Sequence, residues 1–270
     1  MDSYNKLIEA INKKKSLLCV GLDSDINKIP HNIFSKNING LFDFNKAIIE
    51  NTKQFAAAYK INFAFYEQYG KDGFDLINKT LELIPNDIFT IADAKRGDIG
   101  NTSAAYSTSV FSCMNFDSIT VNPYMGIDSI SPFLENKNKM IFVLALTSNN
   151  GSNDFQRLIS ANKPIYQHII EKILNAFDVK NVGFVIGATH PNELANIRNI
   201  ISQNFILIPG IGAQGGDIDA VIKANNDLPA IINVSRAIIY PEYINAGNNT
   251  NSNFYERVSE KASFYQKAFM

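Results

Sequence analysis

The sequence predicts an α/β fold, a single (β/α)8 TIM barrel that spans residues 1–270 as one catalytic domain. Three observations carry this. Eight short apolar runs, most of them separated by a helix-compatible stretch, punctuate the 270 residues. The runs are continuously apolar rather than alternating, as in parallel strands covered on both faces. In a barrel, the polar residues that end these runs share one face, and barrel enzymes carry their chemistry on the C-terminal face. The length also admits two smaller domains, and an open doubly wound sheet is the competing arrangement. The strand count favours closure.

The elements follow in order. Residues 3–14 place Leu7, Ile8 and Ile11 at helical spacing, with Ser3 as the expected N-cap. A buried strand over 17–22 ends at Asp23. A longer connection through Pro30 and Gly40 leads to a helix from about 43 to 55. The second strand, 56–61, ends at Lys60 and Asn62. A helix over 68–83 is broken by Pro85-Asn86. The third apolar run, Ile88-Phe89-Thr90-Ile91-Ala92, leads into Asp93-Ala94-Lys95-Arg96-Gly97-Asp98. Asp98 is expected to open a helix over 102–110. Strands over 117–121 and 139–146 end at Asn122-Pro123-Tyr124 and Thr147-Ser148-Asn149. A helix over 164–177 has Pro164 in its first turn. Strands over 182–186, 205–208 and 230–234 end at Thr189-His190-Pro191, Pro209-Gly210-Ile211-Gly212 and Ser235-Arg236. A polar, flexible segment over 247–252 precedes a closing helix over 254–269.

Composition narrows the function classes. The chain is 46% hydrophobic and 19% charged, enough for a sizeable core. A formal net charge of −1 gives no basic field for nucleic acid or an anionic membrane. No apolar run reaches membrane-spanning length. Lys13-Lys14-Lys15 before Leu17-Leu18-Cys19-Val20 only faintly resembles a signal peptide, because the apolar part is too short. The two cysteines, Cys19 and Cys113, sit in apolar contexts and read as buried free thiols of a cytoplasmic protein. His31, His168 and His190 have no metal-ligand spacing, so no metal is assigned.

The chemistry centres on the third strand end. Asp93, Lys95 and Asp98 alternate in sign, and Lys60 ends the preceding strand. Clustered charges perturb one another's proton affinities, a mark of active sites. A surface ion-pair network on a turn is the plainer alternative. Pro209-Gly210-Ile211-Gly212-Ala213-Gln214-Gly215-Gly216 offers backbone amides to an anion, with Gln214 as a side-chain donor. Barrels often bind phosphate at the loops after strands seven and eight, and Arg236, after the eighth, is expected to grip one with two parallel hydrogen bonds. A flexible glycine loop and a surface arginine are the alternative. Asp23 also reads as a cap or turn residue, Asn62 as a partner for backbone, and Tyr124 as a packing residue near the site.

Asp93-Ala94-Lys95-Arg96-Gly97-Asp98-Ile99-Gly100-Asn101-Thr102 closely resembles the signature of the orotidine 5'-phosphate decarboxylase family, in its longer-chain branch. Gly21-Leu22-Asp23, Lys60-Ile61-Asn62 and the Pro209–Gly216 run match in the same order, so the resemblance covers nearly the whole chain. It departs at Ser235, where many members have glycine. The resemblance implies decarboxylation of orotidine 5'-monophosphate to uridine 5'-monophosphate, the last step of de novo pyrimidine synthesis, without a cofactor. It implies that Lys95 stabilises and protonates C6 and that Asp93 lies near the departing carboxylate. Lys60 and Asp98 complete the charged set. Asp23, Asn62 and Thr102 are implied ribose contacts, and Thr147 and Ser148 pyrimidine contacts. Gln214, Ser235 and Arg236 are implied phosphate contacts, and Pro209 a further implied substrate-binding residue. The resemblance further implies a homodimer in which Asp98 and Thr102 serve the partner's site, and leaves open association with a separate orotate phosphoribosyltransferase. Three rivals are a magnesium-dependent phosphosugar decarboxylase, a non-catalytic nucleotide-binding barrel and a bifunctional chain. Lys60, where the first tends to carry an acid, the intact charged tetrad, and the length that one barrel consumes argue against them in turn.

Overall fold

The computed structural model describes residues 1–177, 180–212, 216–242 and 250–270, with side chains in the last segment from 253 onward. Its strands are β1 (Leu18–Leu22), β2 (Ala58–Asn62), β3 (Phe89–Arg96), β4 (Ser118–Val121), β5 (Met140–Leu146), β6 (Val182–Ile186), β7 (Ile206–Pro209) and β8 (Ala230–Val234). They close into a barrel in sequence order, β8 returning to β1. β1, β4, β6 and β8 are buried along their whole length, which explains why β1, β6 and β8 do not alternate; β4, Ser-Ile-Thr-Val, alternates although both its faces are covered.

The helices are α1 (Ser3–Lys14), α2 (Ile38–Thr52), α3 (Ala64–Glu67), α4 (Lys71–Leu83), α5 (Gly100–Ser107), α6 (Ser152–Phe155), α7 (Ile165–Ala176), α8 (Pro191–Arg198), α9 (Ile218–Asn225), α10 (Arg236–Ile239) and α11 (Thr250–Ala268). A short antiparallel hairpin, Ile159–Ser160 with Lys163–Pro164, was not expected from the sequence. Ala161 and Asn162 turn it with positive φ, the tight two-residue geometry of such hairpins.

Several boundaries differ from the sequence reading for local reasons. Asp2, not Ser3, caps α1: the Asn5 N–H donates to its Oδ1 at 2.8 Å. α2 begins five residues early because Asn37 caps it, accepting from Gly40 N–H at 3.0 Å. The helix expected over 68–83 starts at Lys71 as α4, because Gly70, at φ +57°, interrupts the chain between it and the short α3. Pro164 is the N-cap of α7 rather than part of its first turn. Cys19 is buried as expected, but Cys113 is exposed, because it ends a π-helical turn, Thr108–Cys113, that follows α5. Of the segment expected to be flexible, 247–249 lies outside the described residues and 250–252 belongs to α11.

The chain divides into two compact units, residues 1–5 with 94–233 and residues 6–93 with 234–270. In the second, α2 packs against α4 and α11. Phe44 stacks on Tyr240 at 5.5 Å and meets Phe34 edge-on at 5.5 Å. In the first, α8 packs on α9 around Arg198, which is 4% exposed. Its guanidinium donates to Asn225 Oδ1 and to the carbonyls of Ile201, Asn204 and Pro229. Burial lowers its pKa to about 10.

Candidate active site

A charged cluster lies at the ends of β1, β2 and β3. Parallel pairing sets Asn62 opposite Asp93 and Lys60 opposite Gly21. Lys60 Nζ is 2.7 Å from Asp93 Oδ2 and 3.6 Å from Asp23 Oδ1. Burial alone would depress this ammonium; Asp23 and Asp93 outweigh it and hold Lys60 above its ordinary range. Asp23 Oδ1 is buried and receives no hydrogen bond. Cys19, behind the cluster on β1, is fully buried, and burial pushes its thiol up, so it is inert as a nucleophile.

A polar network that the sequence did not disclose fixes the chain around Asp23. Tyr66 donates its hydroxyl to Leu22 O at 3.1 Å. Ser24 donates to Asn45 Oδ1 at 2.6 Å, and Asn45 Nδ2 reaches Tyr66 and Thr80. The Asp25 N–H donates to Tyr240 at 2.7 Å. All members but Tyr240 and Asp25 are fully buried, so every missing partner would leave an orphaned polar group. Ser24 follows directly on Asp23, but its partners come from α2, α3 and α4, and only their convergence reveals a role.

β3 runs beyond its expected end, through Lys95 to Arg96. Lys95 is exposed and adopts φ +48°, a left-handed conformation that L residues rarely occupy. Its N–H donates to Thr120 Oγ1 on β4 at 2.9 Å. Gly97 lets the chain turn: a Cβ there would stand 2.6 Å from Asn122 O. Asp98 does not cap the following helix. Ile99 occupies the cap of α5, and Asp98 Oδ1 accepts from the Ile99 N–H at 2.7 Å. Ser103 holds the Asp98 peptide instead, accepting from its N–H at 3.1 Å. Thr102 is exposed on the first turn of α5.

At the end of β5, Thr147 turns its hydroxyl to Asn149 and Gln156, while Ser148 O accepts from Thr189 Oγ1 at 3.2 Å. His190, next in sequence, is depressed by burial and by Arg157, with Glu193 and the Thr147 backbone acting against them. Pro209 ends β7 and its carbonyl accepts from Ala188 N–H at 2.8 Å. Gly210 and Gly212 have φ +108° and +81°, values that favour glycine. Gln214 lies outside the described residues. Beyond β8, Ser235 is buried with no hydrogen bond to its Oγ, and Arg236 is exposed at the start of α10. Away from these strand ends, His31 and Tyr124 are exposed, and His168 bonds Ser160 O at 2.7 Å. Among the described residues, no group of three His, Cys, Asp or Glu side chains is placed to hold a metal ion.

A closed parallel (β/α)8 barrel with a buried acid–lysine–acid cluster at its strand ends defines the class. The sequence model of the orotidine 5'-phosphate decarboxylase / HUMPS family matches residues 16–242, and the chain belongs to that family. It is 48% identical to an orotidine 5'-phosphate decarboxylase of Christiangramia forsetii, over 97% of this chain and 95% of that one. Among solved structures it resembles the OMP decarboxylase of Leishmania donovani, with TM-score 0.84 and 34% identity, covering 100% of this chain and 99% of that one. It also resembles Leishmania donovani UMP synthase, with TM-score 0.82 and 37% identity, covering 98% of this chain and 57% of that one.

Proposed function

We propose that the chain, as one catalytic domain of residues 1–270, decarboxylates orotidine 5'-monophosphate to uridine 5'-monophosphate and carbon dioxide without a cofactor. The observation that carries this reading is the buried Asp23–Lys60–Asp93 cluster, continued on the same strand by Lys95, in a member of this family. Breaking the bond from C6 to the carboxylate releases carbon dioxide and leaves an electron pair at C6. The Lys95 ammonium stabilises that charge and transfers its proton to C6, then regains a proton from solvent. Asp93 faces the departing carboxylate, and Lys60 balances Asp93 and Asp23.

Binding energy from the rest of the nucleotide supports the reaction. The unsatisfied Asp23 Oδ1 suits a ribose hydroxyl, with Asn62 and Thr102 beside the same sugar. Ser148, with Thr147, meets the pyrimidine. Ser235, whose Oγ has no partner, joins Arg236, Gln214 and the Pro209–Gly212 backbone at the phosphate. The active form is a homodimer in which Asp98 and Thr102 enter the partner's site. Exposed apolar side chains beside Asp98 support this: Ile99 is 56% exposed, and Tyr124 and Met125, 91% and 48% exposed, follow Asn122, which bonds Arg96 O. A cytoplasmic location fits two free thiols and the absence, among the described residues, of any helix long and apolar enough to cross a membrane. Association with a separate orotate phosphoribosyltransferase is compatible with this reading.

The reading is tested by following orotidine 5'-monophosphate spectrophotometrically with purified chain and excess chelator. Steady conversion supports it. Conversion only after magnesium is restored favours the magnesium-dependent relatives, and none under either condition leaves a binding protein.

A further inference from the structure

We propose that Gln156 is a positioning residue for nucleobase binding. It fixes the Thr147–Ser148 turn at the end of β5 in the geometry that receives the base. This rests on the substrate reading above.

The last residues of β5 pair with β6 through a bulge between Leu144 and Leu146, which sets the direction in which the chain leaves the sheet. Residues 147–151 then lead into α6. Gln156 follows α6, its N–H on Ser152 O at 3.0 Å. Its side chain turns back across the loop. The Thr147 N–H donates to Gln156 Oε1 at 2.8 Å, and Gln156 Nε2 donates to Thr147 Oγ1 at 2.8 Å. The Thr147 hydroxyl donates onward to Asn149 Oδ1 at 2.7 Å. One primary amide thus accepts from the backbone and donates to the side chain of the same residue. A carboxylate in its place retains only the acceptor, and a thioether lacks the donor and accepts only weakly.

Ser148 is held from the other side. Its carbonyl accepts from Thr189 Oγ1 at 3.2 Å, and the Gly187 N–H donates to Leu146 O at 2.7 Å. A Cβ at Gly187 would lie 2.7 Å from Ser148 N and Cα, so only glycine permits this approach. The chain is therefore tied on both sides of Ser148, by Gln156 before it and by Thr189 after it. Arg157, the next residue, pairs with Glu193 on α8 and anchors the loop that carries Gln156. A site rigid within fractions of an ångström is what converts a hydrogen bond to a base into affinity.

The test measures dissociation constants of uridine 5'-monophosphate and ribose 5-phosphate calorimetrically for wild type, Gln156→Met and Gln156→Glu, with thermal unfolding as the check of fold. Wild type binds the nucleotide more tightly than the sugar phosphate. In Gln156→Met that preference falls about tenfold, the weight of roughly one hydrogen bond, while ribose 5-phosphate changes less than about twofold. Gln156→Glu keeps the acceptor for the Thr147 N–H and falls between the two. If Gln156→Met does not fold, Gln156→Glu decides. An unchanged preference, or equal losses for both ligands, overturns the role of Gln156 alone. A wild type that binds the nucleotide no better than the sugar phosphate contradicts the substrate reading and the proposal with it.

Discussion

Lys60 Nζ stands 2.7 Å from Asp93 Oδ2 with Lys60 only 4% exposed, and Asp23 completes a buried cluster of two acids around one base. Removing the base leaves two carboxylates uncompensated in a site largely closed to water. Lys60→Met is therefore expected to destabilise the fold by about 3–5 kcal/mol, measured by urea unfolding. The pH dependence has a definite sign. The folded pKa of Lys60 is raised above its ordinary value of 10.5. The stabilisation is full below that value and lost as pH rises through the folded one. The difference between wild type and Lys60→Met is expected to stay level from about pH 6 to about pH 9 and to shrink only in stronger alkali.

Lys95 combines an expected catalytic role with a left-handed backbone at φ +48°. Strain of this kind collects at functional positions, and glycine relieves it. Lys95→Gly is expected to unfold about 1 kcal/mol later than Lys95→Ala, because alanine keeps the steric penalty of its Cβ. Both variants lose turnover: proton donation contributes roughly two to four powers of ten, and the lost charge adds to that. Paired denaturation and steady-state assays separate the two effects. A Lys95→Ala variant that folds and keeps more than about a tenth of wild-type turnover contradicts the role.

The barrel was legible because burial on both faces writes most strands as largely apolar runs; β6 and β8 match their expected bounds. The start of α2 was not. Gly40 reads as a breaker, yet it sits inside the helix where any Cβ would strike Ser35 O, and the cap at Asn37 becomes visible only in three dimensions. Burial of Cys113 was inferred from apolar neighbours, which a π-helical turn overrides. Asp23, Lys60 and Asp93 could be read because polar residues ending apolar strands stand out. Asn45, Tyr66 and Thr80 could not, since each lies on the inward face of a helix and gains its meaning from partners that sequence spacing does not bring together. Gln156, nine residues from Thr147, is hidden for the same reason.

Arg236 stands exposed at the head of α10, and the proposed role gives it the phosphate alone. Arg236→Ala is expected to reduce kcat/KM for orotidine 5'-monophosphate by about a hundredfold or more, while barely altering the slow reaction of the unphosphorylated nucleoside. The difference between the two losses isolates the phosphate contact. Equal losses would remove Arg236 from the phosphate site.

Lys95 and Asp98 are three residues apart, yet the dimer reading assigns them to different sites. Lys95→Ala and Asp98→Ala homodimers are each expected to be nearly inactive. After subunit exchange, verified with differently tagged chains, about half the dimers are mixed, and each holds one site with both lesions and one with neither. Activity is expected to return to roughly a quarter of wild type. Exchange without recovery would assign both residues to the same subunit's site.

The most direct test of the central claim is to run the reaction in deuterium oxide with orotidine 5'-monophosphate labelled in its carboxylate, with chelator present. Released carbon dioxide is counted against uridine 5'-monophosphate, and the product is examined by NMR. One labelled carbon dioxide per nucleotide and deuterium at C6 alone are expected, with both signals lost in Lys95→Ala. Absence of labelled carbon dioxide from the wild-type chain, or undiminished release by a folded Lys95→Ala, would contradict the claim.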